Sequence, residues 1–393
     1  MKRKVMWSIL GLISLVVIVG GDVSTSHTRK KEEQVYKNID LFLDAMKTVE
    51  DQYIEPVDNT KLIYGALKGM LDSLDPYSAF LEPELTQELQ IETKGEFHGV
   101  GMEITSKDGV ITVVSPIEET PAWNAGIKAG DKIIEIEDKT TKGLTTLEAA
   151  RMLRGKRGTE VTVSILREGV TELRKITLVR DIIKVNSIKE EVLGEKLGYI
   201  RIRDFQEKSS ADLEKALVSF KRSKLEGLIL DLRNNPGGLL SSAIEISELF
   251  VPRGKLIVSV QGREEQDKNF FNNRRNPIWE KPVVLLINEG SASASEIVVG
   301  ALKDNIPSTV IVGMKTFGKG SVQNLIPLAD GSSIKLTTAH YYTPAGVSIE
   351  GKGIEPDVSV QLPQDAVILP MGEDDIQFKQ ALESLKEILT GNG

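Results

Sequence analysis

In EEQVYKNIDLFLDAMKTVEDQYI, apolar residues recur at three- and four-residue intervals. Val35, Ile39, Phe42, Leu43, Met46, Val49 and Tyr53 fall on one face of a predicted amphipathic helix. A second such helix follows Pro56 and Asn59, with Leu62, Ile63, Ala66, Leu67, Met70 and Leu71 on its apolar side. It stops near LDPYS, where Pro76 cannot continue a helix. Two helices alone bury little, so residues 31–88 read as a helical docking or dimerisation region. From 89 to 180 the texture changes to short β-branched runs punctuated by glycine. GVGMEI, GVITVVSP, GDKIIEIED and EVTVSILREG read as strands and TTLEAARMLRG as a helix. From 181 to 362 strands and helices alternate: LGYIRI, a helix over 209–221, GLILDLRN, a helix over 240–249, KPVVLLIN, a helix over 294–302, then TVIVG. Such alternation predicts a multidomain α/β protein whose core sheet is at least partly parallel. Residues 363–393 close the chain with an amphipathic helix.

The first residues carry a different pattern. MKRK is followed by VMWSILGLISLVVIVGG, an uncharged and mostly apolar run. This is the layout of a signal peptide or membrane anchor over residues 1–30. As a helix the run spans roughly 26 Å against a hydrocarbon core of about 30 Å. No Ala-x-Ala site follows, which favours a retained anchor. Either reading puts the rest of the chain outside the cytoplasm, in the cell envelope or secreted.

The chain has 393 residues and a formal net charge of −8, which argues against nucleic-acid binding, since that requires a basic face. It has no cysteine, which removes thiol nucleophiles, thiolate zinc sites and disulfides together. Its three histidines, His27, His98 and His340, fit no paired metal-ligand spacing. No metal or other cofactor is expected.

Two segments carry candidate chemistry. GMKTFGKG, from Gly313 to Gly320, nearly matches a phosphate-binding loop, but Gly320 stands where that loop needs Ser or Thr to hold Mg²⁺. Lys319 therefore needs another task. In KPVVLLINEGSASASEIVVGAL, an apolar strand runs through a Glu-Gly turn into three serines at the start of a helix. Orphan N–H groups and the helix dipole favour negative charge there, which suits an oxyanion as well as an ordinary capped helix. A serine nucleophile needs a base, and lysine serves if its pKa falls by roughly three units through burial away from carboxylates. Lys319 lies in a stretch with no acid between Asp304 and Asp330. On an extended strand it shares a face with Ser321 and Gln323, and Gln323 could orient the amine without adding charge.

The stretch FHGVGMEI with SPIEETPAWNAGIKAGDKIIEIED resembles a PDZ domain. Gly99, Val100, Gly101 and Met102 would hold a terminal carboxylate, and the adjoining strand would pair with the incoming peptide. SASASEI, TFGKGSVQ, LDLRNNPGG, LDPYSAFL, GVGMEI and GIEPDV together look like the carboxyl-terminal processing proteases, also called tail-specific proteases. The resemblance covers nearly the whole chain after the export segment. It implies a crotonase-like protease core gated by a PDZ domain, with flanking helices that dimerise. It also implies Ser293 as nucleophile, Lys319 as general base, Gln323 as its support, and an oxyanion hole from Gly238 or Gly237 with Ala294. Substrates would be proteins with free C-termini.

Other readings are an inactive PDZ adaptor and a protease that depends on a separate activating partner. Acyl-CoA chemistry and a P-loop NTPase are disfavoured by the export segment and by Gly320 respectively. Ser332-x-x-Lys335 reads as hairpin strand and Asp304 as a distant acid.

Overall fold

The computed structural model describes residues 34–391, apart from 108, 118, 145, 168, 171, 185, 264–266, 275 and 363–369. The expected export segment lies outside the described residues. The chain divides after Phe80 into two compact units.

The first unit contains a helix over residues 34–52 (α1) and a second, Asn59–Asp72 (α2). Asp58 caps α2 by accepting the N–H groups of Thr60 and Lys61, as an N-cap aspartate does. After α2, the Asp75 carboxylate accepts from Tyr77 N, Ser78 N and Ser78 Oγ and fixes the LDPYS turn. The expected apolar face of α1 forms, yet Val35, Ile39, Phe42, Leu43 and Val49 remain exposed. A three-residue strand, Ala79–Leu81 (β1), follows.

In the second unit a helix, Pro83–Lys94 (α3), leads into strand Glu96–Gly99 (β2). A β-rich body comes next, with strands Met102–Lys107 (β3), Val110–Pro116 (β4), Lys132–Ile136 (β5), Lys139–Thr140 (β6), Glu160–Leu166 (β7) and Arg174–Val179 (β8). They pair in the order β3-β4-β5-β7-β8, with β6 on β5. Two helices, Pro121–Asn124 (α4) and Thr146–Leu153 (α5), cover it around a core that includes Ile111, Ile133, Ile136, Val161 and Val163. Strand Asp181–Lys184 (β9) then pairs antiparallel with β2, so the segments entering and leaving this body form one ribbon.

The remainder is a layered α/β core. Strands Ile188–Leu193 (β10), Leu197–Ile202 (β11), Gly227–Asp231 (β12), Val283–Ile287 (β15), Val310–Gly313 (β16) and Val358–Ser359 (β19) form one sheet in that order. Only β10 runs antiparallel. The strands' near-continuous apolar runs are those of a sheet covered on both faces. Ile200, Leu228, Leu230, Val283 and Leu285 point towards helices Ser209–Arg222 (α6), Leu240–Glu248 (α7) and Ala294–Asn305 (α8). Tyr199, Ile229, Val284 and Leu286 point the other way, onto the C-terminal helix Ile376–Thr390 (α9). A second sheet joins Leu256–Gly262 (β13), Lys268–Phe271 (β14), Ser321–Pro327 (β17) and Ser333–Tyr342 (β18), with β17 and β18 forming a hairpin.

Candidate active site

β12 and β15 are adjacent and parallel, so their C-terminal ends open onto one edge of the sheet, where such sheets build sites. β12 runs into the turn ending at Gly238, and β15 into the turn ending at Ser293. The two turns are joined by hydrogen bonds. Asn234 N–H donates to Asn288 Oδ1 at 2.8 Å, and Asn288 Nδ2 donates to Asn234 Oδ1 at 2.8 Å. Asn235, fully buried, accepts on its carbonyl oxygen from Ala292 N–H at 3.0 Å and from the Ser295 hydroxyl at 2.9 Å.

These bonds separate the three serines. Ser291 and Ser295 are fully buried and donate to backbone carbonyls, of Leu232 and Asn235. Ser293 is the N-cap of α8 with φ 54° and ψ −112°, a strained conformation for a residue with a Cβ. It lines a cavity of about 440 Å³ together with Gly238, Ala294, Lys319, Gln323 and Lys335. The sharp strand-to-helix turn that exposes one serine is the geometry of a nucleophile elbow, without the Gly-x-Ser-x-Gly sequence.

Gly237 and Gly238 take different parts. The Gly237 N–H donates to Asn235 Oδ1 at 2.9 Å, which corrects its expected place as an oxyanion donor. Gly237 (φ 112°) instead provides room: a Cβ there would stand 2.9 Å from Ser293 Cβ and 3.0 Å from Ala294 N. Gly238 lines the cavity. The N–H of Ala294, in the first turn of α8, is one of the helix's orphan donors.

Lys319 stands in the loop before β17, so the expected strand face starts only at Ser321. Gln323 Nε2 donates to Ser321 Oγ at 3.0 Å and Thr337 Oγ1 at 3.1 Å, tying the hairpin that walls the cavity. The Lys319 amine is half-buried and held below its ordinary value, first by burial and then by repulsion from Lys335. The expectation of a carboxylate-free setting is corrected, because Glu350 and Glu296 both pull the other way. Neither acid is near Lys319 in the local sequence; α8 and the segment after β18 bring them in.

Glu296 is the largest omission of the sequence reading. Fully buried, it accepts from Ser293 N–H, Lys319 N–H, Gly318 N–H and the Thr316 hydroxyl. Burial pushes its carboxyl above the ordinary value, although all four donors favour the ionised form. Ser-x-x-Glu at a helix start is a capping-box signal, so its bond to Ser293 was legible; its reach to Lys319 was not. Tyr341 completes the frame: its hydroxyl donates to the Lys319 carbonyl and lies 3.1 Å from that of Ser293. Asp304 accepts Ala345 N–H and does not line the cavity, and Ser332 bonds Asp330. Lys335, by contrast, lines it.

In the β-rich body, Gly99, Val100, Gly101 and Met102 come together at a cavity of about 80 Å³, opposite Ala150 and Leu153 of α5. Gly101 (φ 78°) is required there, since a Cβ would stand 2.3 Å from Thr120 Cβ. The loop and the helix thus face each other across this cavity.

Residues 196–360 match peptidase family S41, residues 99–178 match the PDZ domain, and residues 19–85 match the N-terminal domain of the activating protease CtpB. A carboxy-terminal-processing protease of Bartonella bacilliformis is 45% identical over 369 residues, spanning 92% of this chain and 84% of that relative. The carboxy-terminal processing protease CtpA of Bacillus subtilis is 36% identical over 388 residues, spanning 96% and 82%. Among solved structures, a photosystem II D1 C-terminal processing protease aligns with a TM-score of 0.52 at 30% identity, covering 88% of this chain and 98% of that one. The α/β core bearing Ser293 and the PDZ domain before it are thus parts of a known kind of enzyme, and the chain belongs to the carboxy-terminal processing proteases, serine-type peptidases of family S41.

Proposed function

We propose that this chain cleaves proteins recognised by their C-terminal tails, with Ser293 as nucleophile and Lys319 as general base. One observation carries the reading: the strained, cavity-facing Ser293 shares its cavity with a lysine that burial keeps easy to deprotonate. The neutral amine of Lys319 takes the hydroxyl proton as Ser293 Oγ bonds to the scissile carbonyl carbon. The N–H groups of Gly238 and Ala294 hold the oxyanion, each contributing about 3–4 kcal/mol in comparable enzymes. The C–N bond then breaks, Lys319 returns the proton to the leaving amine, and water releases the acyl group. Gln323 fixes the wall on which Lys319 sits and acts through Ser321 and Thr337.

The PDZ groove around Gly99–Met102 captures the free C-terminus of a substrate and the core cuts the segment behind it. The apolar N-terminal run of the sequence supports a location outside the cytoplasm, tethered to the membrane or exported. The exposed apolar face of α1 supports a homodimer built through the helical region, and an activating adaptor is compatible with the PDZ domain as gate.

The test uses the purified full-length chain and an unfolded protein with an apolar C-terminal tail, with EDTA present and ATP omitted. Fragments are followed by mass spectrometry for wild type, Ser293→Ala and Lys319→Ala. Cleavage by wild type alone is expected. Cleavage that survives Lys319→Ala would assign the base elsewhere, and cleavage that survives Ser293→Ala would remove the nucleophile.

A further inference from the structure

Two lysines line the catalytic cavity, and the mechanism uses only one. Lys335 comes from β18 of the β17–β18 hairpin, where it pairs in register with Leu325, another lining residue. It lies two residues from Thr337, so the strand period puts both on the face that receives Gln323. Half-buried, it makes no ion pair with a described residue. No Asp or Glu lines the cavity among the described residues; its walls are largely apolar, from Leu89, Leu239, Leu240, Ile297, Val322 and Leu325. A cation in such surroundings is under-compensated, since low-dielectric walls strengthen its field and supply no counter-charge. With Lys319 acting as a neutral amine, Lys335 is the charged group that an extended substrate meets in the cleft.

We propose that Lys335 is a specificity-determining residue that reads a carboxylate on the substrate segment lying in the catalytic cleft. The inference rests on the assignment of Ser293 and Lys319 to peptide cleavage. A carboxylate paired with Lys335 forms a charge-assisted hydrogen bond inside a partly dry cavity, stronger than its neutral counterpart. An uncharged side chain at the same position leaves the lysine without a partner. The required chemistry is an anionic oxygen pair, which a substrate has in two forms: an Asp or Glu side chain near the scissile bond, or the terminal carboxylate of a short tail.

The experiment compares peptides of one sequence carrying Gln or Glu at each position around the cut in turn, each prepared with a free or an amidated C-terminus. Ratios of kcat/KM between paired peptides are measured with the same enzyme, which cancels any change in Lys319 basicity common to both. Wild type is expected to prefer Glu over Gln at one position by roughly tenfold, the scale of one charge-assisted contact. Dependence on the free terminus instead, with no side-chain preference, identifies the terminal carboxylate as the group read. Lys335→Gln should abolish the preference, Lys335→Arg should keep it, and Lys335→Glu should invert it towards a Lys-containing peptide. A preference unchanged in Lys335→Gln and Lys335→Glu, or no preference in wild type while Ser293-dependent cleavage proceeds, overturns the proposal alone. Absence of Ser293-dependent cleavage of every peptide overturns the protease assignment and this proposal with it.

Discussion

The backbone N–H groups of Ser293 and Lys319 meet on a single oxygen: both donate to Oε2 of Glu296, at 2.9 Å each. One buried carboxylate therefore fixes the backbone of the proposed nucleophile relative to that of the proposed base. Its other oxygen holds Gly318 N–H at 2.8 Å and the Thr316 hydroxyl at 2.6 Å, immobilising the loop that carries Lys319. Glu296→Gln keeps the shape but turns one oxygen into an NH₂ group that faces N–H donors. Each donor so orphaned costs about 1–3 kcal/mol when buried. A misplacement near 1 Å between reacting groups costs roughly a hundredfold in rate, so kcat should fall by about that factor with KM changed less. Steady-state kinetics beside a thermal melt checks this, and a variant with near-wild-type kcat would show that the shared carboxylate is dispensable.

Charges around Lys319 set the pH dependence. Burial and Lys335 favour the neutral amine, whereas Glu350 and Glu296 favour the ammonium, and the first pair prevails. With the neutral form as the proposed base, kcat/KM should rise with pH as the amine loses its proton, at a lower pH than an ordinary lysine would allow. Lys335→Gln removes a repulsion, so the rise moves to higher pH and activity at neutral pH falls. Lys335→Arg leaves it in place. Glu350→Gln removes an attraction while retaining an acceptor for the Gly320 N–H, so the rise moves to lower pH. Profiles of kcat/KM for the three variants decide the matter, and shifts of the same sign in both Gln variants would contradict the assignment.

The pieces that were legible in the sequence are those whose signal is local. Helices and strands follow from period, the covered sheet from uninterrupted apolar runs such as GLILD and VVLLI, and the candidate serine and lysine from motifs kept in order. What the local pattern could not carry is what the tertiary fold brings together. Lys335 reads as an ordinary hairpin residue until the turn between β17 and β18 folds it back beside Leu325. Glu296 reads as a helix cap until the loop at Thr316–Lys319 is laid over it. The positive φ of Ser293 had no glycine to announce it, and Asn235 looks like a turn residue rather than the buried joint between two loops.

Gly237 offers a separate test of crowding at the site. Its φ of 112° lies where residues with side chains are strained, and an added methyl would press on Ser293 Cβ and Ala294 N. Gly237→Ala should cost roughly 1–3 kcal/mol of stability from the backbone alone. The activity loss should be larger than that implies, about a hundredfold or more, because the methyl displaces the proposed nucleophile and the proposed oxyanion donor together. Labelling by a serine-directed acylating reagent, measured beside a denaturant melt, separates the two effects. Wild-type labelling in a destabilised protein would mean that Gly237 matters only to folding.

The C-terminal helix is anchored beside the same turn. Arg233, nearly buried, donates to Asp375 Oδ1 and Oδ2 at 2.8 Å each and to Asp231 Oδ2 at 2.7 Å. Asp375 caps α9 by accepting Phe378 N–H, and α9 in turn lays Ala381 and Leu385 over the back of the sheet. Burial disfavours the Asp375 carboxylate, but the hydrogen bonds from Arg233 and Phe378 N–H outweigh it and hold its pKa below the ordinary value. A depressed acid stabilises the fold fully above its unfolded pKa, near 3.9, and the contribution is lost as pH falls through the lower folded value. Asp375→Asn should therefore cost roughly 3 kcal/mol at neutral pH, the low end for breaking a buried ion pair, since Asp231 still compensates Arg233. The gap to wild type should narrow as pH falls below about 4, because protonation then removes the same charge from wild type. Melts of both proteins from neutral to acid pH measure this, and a difference that stays constant with pH would show that packing of α9, not the Arg233–Asp375 pair, sets its anchorage.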